Sequence, residues 1–526
     1  MKKYLLKRIA FSIFSLIVVV MAVMLLVYSL IDRKVIFMQD DVWTKRSNND
    51  RSYYEYTMYQ KYGYLEYSNY ANFLAQKYQA KYGDKYTENA DFIKDRNAIQ
   101  NAATYLDNPS VQEFIAEYRD GKGYEIIYLS PQTYSNGKAK PGGTGYLIAK
   151  KENSVFLRLW EYAKGLITVE TVNDVKDPEL TERYTRWEKD PYNGLIAHVG
   201  SGTTHKYLLY FDGRFPFIHQ NRFHLHLGVS FTKYRGQEIV DVITQPTGDL
   251  KYIKTQYPAQ FGTDEYVETA LDFHEATYNE AELTEAQAGL FTDKYSNVPF
   301  LRKGLSMLEN SFVIGLAASL IAYAVGLPLG ILNARKKDKL PDKIGMIYII
   351  FIMAVPALAY IFMFAAVGTR VFKLPYKFAN ATVPILAYIL PTISLALRDI
   401  GGLMRWMRRF MIDQMNADYV KFARAEGLSE SEVFNKHISR NAVIPIIHGV
   451  PGMILGALVG AIITERVYAV PGVGNLLTVA INGHDNGIIV ACTVFYTTIS
   501  IISLILGDVL MAKWDPRISF ESKGGR

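Results

Sequence analysis

Between two apolar runs lies ADYVKFARAEGLSESEVFNKHISRNAVIP, Ala417 to Pro445, a stretch whose charges, small residues and glycine are spaced for a mechanical task. Ala417–Glu426 favours helix, and Gly427 follows Glu426 at the position where a helix-ending glycine belongs. Ser429 stands three residues before Glu432, the spacing of a capping box, and predicts a second helix over about 430–440. Asn441 and Pro445 then lead into the next apolar run. The first helix is too polar to enter hydrocarbon and too short to be a domain. It suits a rod lying along a membrane surface and docking into a partner's groove. The same pattern also serves to anchor the span that follows, and physics alone leaves both readings open.

Other residue groups offer less. Five of the nine histidines fall between His198 and His226. On a strand His224 and His226 share a face, and with His219 they have the donors for a metal. No carboxylate or cysteine at tight spacing completes such a set, so satisfied or exposed histidines are the expectation, and no metal or cofactor is assigned. No GxxxxGK[ST] stretch occurs, and GKGYE at 121–125 is too short, so ATP phosphates have no cradle of that kind here. Neither HExxH nor a Ser-His-Asp ordering argues for a peptidase. The chain reads as a non-enzyme, and any ATP hydrolysis belongs to separate chains.

The elements around the hairpin are set by composition. The 526 residues include 49% hydrophobic ones, but unevenly: residues 32–300 are polar and hold 28 of the 38 tyrosines. The remainder contains runs of about 20 apolar residues, the length that crosses a ~30 Å hydrocarbon core. Six spans are predicted: Arg8–Ile31, then about 312–332, 344–367, 381–397, 442–463 and 488–512. MKKYLLKR resembles a signal-peptide start, but the run behind it is too long and lacks a small-residue cleavage site, so a retained span is expected. Residues 32–300 carry 31 Lys+Arg against 37 Asp+Glu, and the rest carries 27 against 14. That basic surplus flanks the spans, as the positive-inside rule requires, and does not suggest nucleic acid. It places both termini, ARKKDKLPDK and the hairpin in the cytoplasm, and residues 32–304 outside. Small residues at Gly326/Gly330 and Gly452/Gly456/Gly460 allow close helix approach, either as ordinary packing or as a rearranging interface. Ionisable residues are nearly absent from the expected span centres, which argues against a proton- or sodium-coupled carrier. An anchored receptor or enzyme would leave six spans unexplained.

The external segment divides. Residues 55–120 read as helical; from about 124 to 250, runs such as YEIIYLS, TGYLIAK and HKYLLYFDG read as strands between turns. An α+β domain is expected, there to receive a loaded binding protein or to shape the pore entrance. Its tyrosines suit an adaptable contact surface, or are simply core and ordinary surface. The single cysteine, Cys492, excludes an intrachain disulfide.

The hairpin also carries a resemblance. Asp418, Tyr419, Val420, Ala423, Arg424, Ala425, Gly427, Leu428, Ser429, Arg440, Asn441, Ala442, Ile444 and Pro445 match the cytoplasmic coupling loop of ABC importer permeases. Lys421-Phe422-Ala423 replaces the Glu-Ala-Ala common in the wider family, a form usual in its peptide branch, and makes Phe422 an apolar knob. ERVYAVPGVGNLL (465–477), GDVLMAKWDPRI (507–518), LENSFVIGLAASLIAYAVGLPLGILNARKK and LGVSFTKYRGQEIVDVI (227–243) resemble further motifs of that family, in order. The best fit is the B-type membrane subunit of oligopeptide permeases, Opp/Ami type, with the long extracellular insertion of streptococcal-like members. The resemblance implies an α-helical polytopic protein of the bacterial plasma membrane. It would have six transmembrane helices of the type I importer kind, with a first span over 1–31, an extracellular domain over 32–304, a permease core over 305–518 containing the coupling loop 413–441, and a tail over 519–526. It implies as partners a second permease subunit, two ATP-binding cassette ATPase subunits, an extracellular substrate-binding lipoprotein, the lipid bilayer and an oligopeptide substrate. Related permeases take dipeptides, nickel or glutathione. The implied ATPase-docking residues are Asp418, Tyr419, Phe422, Ala423, Arg424, Ala425, Glu426, Gly427, Leu428 and Ser429.

Overall fold

The computed structural model describes residues 2–30, 33–136, 138–174, 181–190, 194–203, 205–211, 218–244, 305–459 and 461–514. The expected tail and the last part of the external segment, 245–304, lie outside the described residues. The first helix, α1, spans Lys2–Leu30 and carries the first apolar run. Its Phe11, Phe14 and Ile17 are exposed, as lipid-facing side chains are.

The polar segment that follows is helical first and sheet-rich second, as its pattern predicts. It contains α2 (Asp41–Lys45), α3 (Asn48–Lys61), β1 (Leu65–Asn69), α4 (Tyr70–Tyr82), α5 (Ala90–Ala98) and α6 (Pro109–Ile115). Then come β2 (Glu125–Leu129), β3 (Tyr146–Glu152), α7 (Val155–Gly165), β4 (Ile167–Val169) and β5 (Tyr184–Lys189). The described part of the segment ends with β6 (Ile196–Ser201), β7 (Tyr207–Phe211), β8 (Ile218–Gln220), β9 (Phe223–Leu225) and α8 (Ile239–Thr244). Among the described residues three antiparallel sheets result, ordered β1-β3-β2, β4-β9 and β5-β6-β7-β8. The helices start where the chain supplies acceptors for otherwise orphaned N–H groups. Asp40, Asn69, Asn89 and Asn108 cap α2, α4, α5 and α6 through their side chains, and Pro109 occupies a first-turn position that needs no donor. Tyrosines fill the interior: Tyr64, Tyr70 and Tyr210 are fully buried, and Tyr59, Tyr62, Tyr67 and Tyr78 nearly so. For these residues the core reading holds, not the contact-surface one.

Asp95 ties α5 to this core by accepting from the Tyr78 hydroxyl (2.9 Å), Asn108 Nδ2 (2.9 Å) and Ser110. Burial alone would raise its pKa, but these donors outweigh it and hold the carboxyl below its ordinary value. A folded-state value below the unfolded one stabilises fully above about pH 4 and is lost as pH falls through the folded value. Asp95→Asn is therefore expected to flatten the acid limb of thermal melting below about pH 4, followed by intrinsic fluorescence of the solubilised protein.

Among the described residues the helices continue with α9 (Met307–Arg335), α10 (Leu340–Ala354), α11 (Ala357–Arg370), α12 (Leu386–Met415), α13 (Asp418–Ala425) and α14 (Glu430–Glu432). They continue with α15 (Arg440–His448), α16 (Val450–Val459), α17 (Ile462–Tyr468), α18 (Val473–Asn482) and α19 (Asn486–Trp514). Among the described residues five helical runs are long and apolar enough to cross a membrane: Lys7–Tyr28, Met307–Arg335, Leu386–Met415, Glu430–Gly456 and Asn486–Leu510. A sixth is reached if α10 and α11, bent by 112°, count as one.

Three of the six expected spans need correction, the fifth because its helical run is Glu430–Gly456 rather than 442–463. The third is not straight. Pro356 lacks an N–H and pushes Val355 into the extended region (ψ 131°), which ends α10 there. The fourth does not stop near 397. α12 runs on through RDIGGLMRWMRRF because its inward face stays small or apolar, with Ile400, Gly401, Met404, Met407 and Met411 buried at three- and four-residue spacing. This longer helix carries Arg398 and Asp399 at its middle, so the near-absence of charge from span centres holds for the expected boundaries and fails for this helix. Gly326 and Gly330 are used within the chain: a Cβ on Gly330 would lie 2.8 Å from Met407 Cβ, so α9 and α12 touch backbone to backbone.

Candidate functional site

α12 delivers the chain to the polar hairpin, where Ala417 turns extended and α13 begins. One face of α13 is fixed. Val420 and Ala423 are buried among Met407, Met411, Val433, Phe434, Ile438 and Ala442. The other face is open: Asp418, Lys421, Arg424, Ala425, Glu426 and Ser429 are exposed, and Phe422 is 67% exposed. Leaving a phenylalanine in water forgoes roughly 2 kcal/mol of burial, which a covering groove would recover.

The turn is built as its residues predict. Gly427 has φ +84°, its N–H donates to Arg424 O (3.0 Å), and Leu428 N–H reaches Ala423 O (3.3 Å). Ser429 and Glu432 form a reciprocal capping box. Arg424 grips Glu430 (2.8 and 3.3 Å) across the turn, and Lys421 pairs with Asp418 (2.8 Å). The second arm departs from a regular helix: α14 continues through a wider π-helical segment, Val433–Ser439, into α15. A Cβ on Gly427 would meet nothing within 4 Å, so only backbone strain opposes substitution. Gly427→Val should cost about 1–2 kcal/mol of hairpin stability through its left-handed φ. The measurable outcome is faster amide exchange over 418–432; unchanged exchange would contradict that account.

Of the ten residues singled out by resemblance, Asp418, Phe422, Arg424, Ala425, Glu426, Gly427 and Ser429 reach the surface. Ala423 does not: it is buried in the hairpin core and supports α13 from within. Tyr419 and Leu428 are half-buried, and the Tyr419 hydroxyl donates to Gln414 Oε1 (2.5 Å).

Residues that sequence reasoning passed over tie α12, which carries the hairpin, to α10 and tie the hairpin itself to α9. Arg408 on α12 holds the buried Asp342 on α10 through two hydrogen bonds, 2.6 and 2.8 Å. Arg335, at the end of α9, lies 5.5 Å from the Phe434 ring centroid. Higher in the bundle a cavity of about 620 Å³ opens where α10 breaks from α11. Pro356, Tyr360, Arg398, Asp399 and Trp406 line it. Among the described residues neither Arg398 nor Asp399 has a hydrogen bond or salt bridge to another side chain. Charged groups so placed in a membrane helix mark pathways more often than packing.

The histidines do not assemble as the i, i+2 pattern suggests. His219 stacks on Tyr210 (5.2 Å between centroids), and His226 bonds Thr168 (2.8 Å). His224 meets His205 instead, and the carboxylate missing from the local sequence is Glu170: its Oε1 lies 2.5 Å from His205 Nδ1 and 2.9 Å from His224 Nε2. Burial would raise the Glu170 pKa, but its hydrogen bonds from His205 and His224 prevail and lower it. These three groups are close enough to share a cation, and equally they satisfy one another.

Comparison with known proteins gives consistent matches. Residues 326–520 match the family described as binding-protein-dependent transport system inner membrane component. The chain is 34% identical to the oligopeptide transport system permease protein AmiC of Streptococcus pneumoniae, over the whole of both chains. It is 33% identical to the dipeptide transport system permease protein DppB of Bacillus subtilis, over 41% of this chain and 69% of that protein. It is 30% identical to the oligopeptide transport system permease protein AppB of the same organism, over 41% of this chain and 71% of that one.

Proposed function

The chain belongs to the family of binding-protein-dependent transport inner-membrane components, as a permease subunit of a peptide ABC importer, and from that premise we propose how its parts divide the work. It is a multi-pass membrane protein and a transport component rather than an enzyme, and it acts with an ATPase and a substrate-binding partner. In our reading both termini and the hairpin lie in the cytoplasm, residues 32–304 lie outside, and α10–α11 counts as the sixth span. α13 docks in a groove of one ATPase subunit, with Phe422 as its anchor and Arg424 holding the two arms of the hairpin in register. A homologous permease chain completes the path, and an extracellular lipoprotein delivers oligopeptides to it.

One observation carries this reading: α13 offers Phe422 to solvent on a helix whose opposite face is locked into the bundle by Val420 and Ala423. Force on that aromatic ring would move the helix, and the helix cannot move without α12 and α15. Closure of the ATPase then biases the bundle only through contacts that differ between its two states.

The test is purification with the co-expressed partner chains and ATP-dependent uptake of labelled peptides of graded length. Uptake that needs ATP and the binding protein is expected. In Gly427→Val, ATP hydrolysis should persist while uptake falls. Equal uptake by that variant would refute the role given to the Gly427 turn, and uptake of nickel or glutathione without peptides would refute the substrate.

A further inference from the structure

Outside the hairpin and the cavity, the described part of the segment between α1 and α9 leaves a group of large apolar side chains exposed. α7 places Phe156 and Trp160 one turn apart, 68% and 65% exposed. Next in the chain, the β4–β9 ribbon pairs Ile167 with Leu225 and Val169 with Phe223. Pairs two residues apart share a face, and all four of these side chains are exposed. The opposite face of the ribbon holds Thr168 and His224, the latter bonded to Glu170. The ribbon is therefore amphipathic, and its apolar side points away from its own polar cluster.

Position identifies what covers the α7 part of this surface, and the ribbon follows α7 directly in the chain. Phe156 and Trp160 share an apolar groove of about 310 Å³ with Leu16, Ile17 and Val20 of α1. Those α1 residues lie in the middle of the Lys7–Tyr28 run, not at its end. The charges of α7 are disposed accordingly. Arg158 turns inward, 3.6 Å from the Tyr28 ring centroid and 3.9 Å from that of Tyr64, and is buried. Glu161 faces a separate cleft with Lys61 and Tyr62. Lys164, near the C-terminus, has the reach to snorkel toward headgroups.

We propose that α7 and the β4–β9 ribbon form a lipid-facing wedge that sits in the outer leaflet beside α1, continuous with the lipid-facing side of that span. Aromatic side chains on an amphipathic helix are the groups that settle at the membrane interface, and an exposed apolar patch of this kind marks an interaction surface. The wedge fixes the tilt of the external segment over the pore, so that a binding protein docks on a platform held by lipid as well as by chain contacts. This rests on the external placement of residues 32–304 proposed above.

The experiment uses the assembled transporter in lipid nanodiscs and in proteoliposomes. Single cysteines at Trp160 and Phe156 carry an environment-sensitive fluorophore, with Leu106→Cys, exposed on the helical part, as control. The native Cys492 is buried. Nitroxides on lipid acyl chains are expected to quench positions 156 and 160 about threefold more than position 106, and aqueous iodide to show the reverse order. Iodide quenching at 160 equal to that at 106 would overturn the wedge, as would shielding from both quenchers with cross-linking to the second permease chain. Labelling of position 106 by an impermeant maleimide, added only outside the proteoliposomes, reads the external placement separately. A failed wedge with successful outside labelling leaves the topology standing.

Discussion

Replacing Asp485 with alanine will loosen the joint between the external segment and the last span more than any surface change to the hairpin. Asp485 is fully buried just before α19. Its carboxylate accepts from Ser230 Oγ (2.6 Å), Phe231 N (3.0 Å), Thr232 N (3.0 Å) and Ile488 N (3.2 Å). One charge thus caps a membrane helix and pins the loop LGVSFTKYRG to it. Alanine would orphan three buried backbone donors and a hydroxyl, at about 1–3 kcal/mol each, for a loss of at least roughly 4 kcal/mol. Asp485→Asn keeps one acceptor oxygen and should lose about half of that. The readout is amide exchange: peptides covering 227–243 should exchange much faster in the alanine variant, while those of α12 change little. Protection of 227–243 equal to the parent would remove this joint from the account.

The second large effect is expected at Glu465. This fully buried carboxylate accepts from Ser311 Oγ (2.9 Å), Ala461 N (3.0 Å) and Asn475 N (3.0 Å). Ser311 Oγ in turn accepts from Val473 N (2.9 Å). The glycines of VPGVGN follow from this packing: a Cβ at Gly472 or Gly474 would lie 2.3 or 3.0 Å from Glu465 Oε2. Glu465 is therefore the plug that seats the start of α18 against α9. Glu465→Ala should cost roughly 2–4 kcal/mol by leaving these donors unpaired, and Glu465→Gln less, because its shape is kept. Thermal melting of the solubilised chain should fall in that order. A Gln variant as damaged as the Ala variant would point to the charge itself rather than the donor network.

These two residues mark the boundary of what could be read in advance. The hairpin was legible because its determinants are local: Gly427, Ser429 and Glu432 act over three or four residues, and each appears in the role its type suggests. The spans were legible from length. Their ends were not, because α12 is held by an inward face of small residues and methionines, which average hydropathy does not weigh. The break at Pro356 was visible as a residue but not as a 112° bend, since proline is also tolerated within straight runs, as Pro391 is in α12. Asp485 and Glu170 were missed for one reason. Their partners lie 255 positions away in one case, and 35 and 54 in the other, so spacing rules do not reach them.

The central claim is that α13 presses Phe422 into an ATPase subunit. The single native cysteine, Cys492, is buried, so Phe422→Cys provides an accessible thiol at that one position. In the assembled transporter the account predicts that a maleimide–benzophenone reagent attached at position 422 cross-links, on illumination, to an ATPase subunit by C–H insertion, with a yield that changes when nucleotide is bound. A thiol at 422 that labels at the same rate with and without the ATPase subunits, and cross-links to neither, would contradict it.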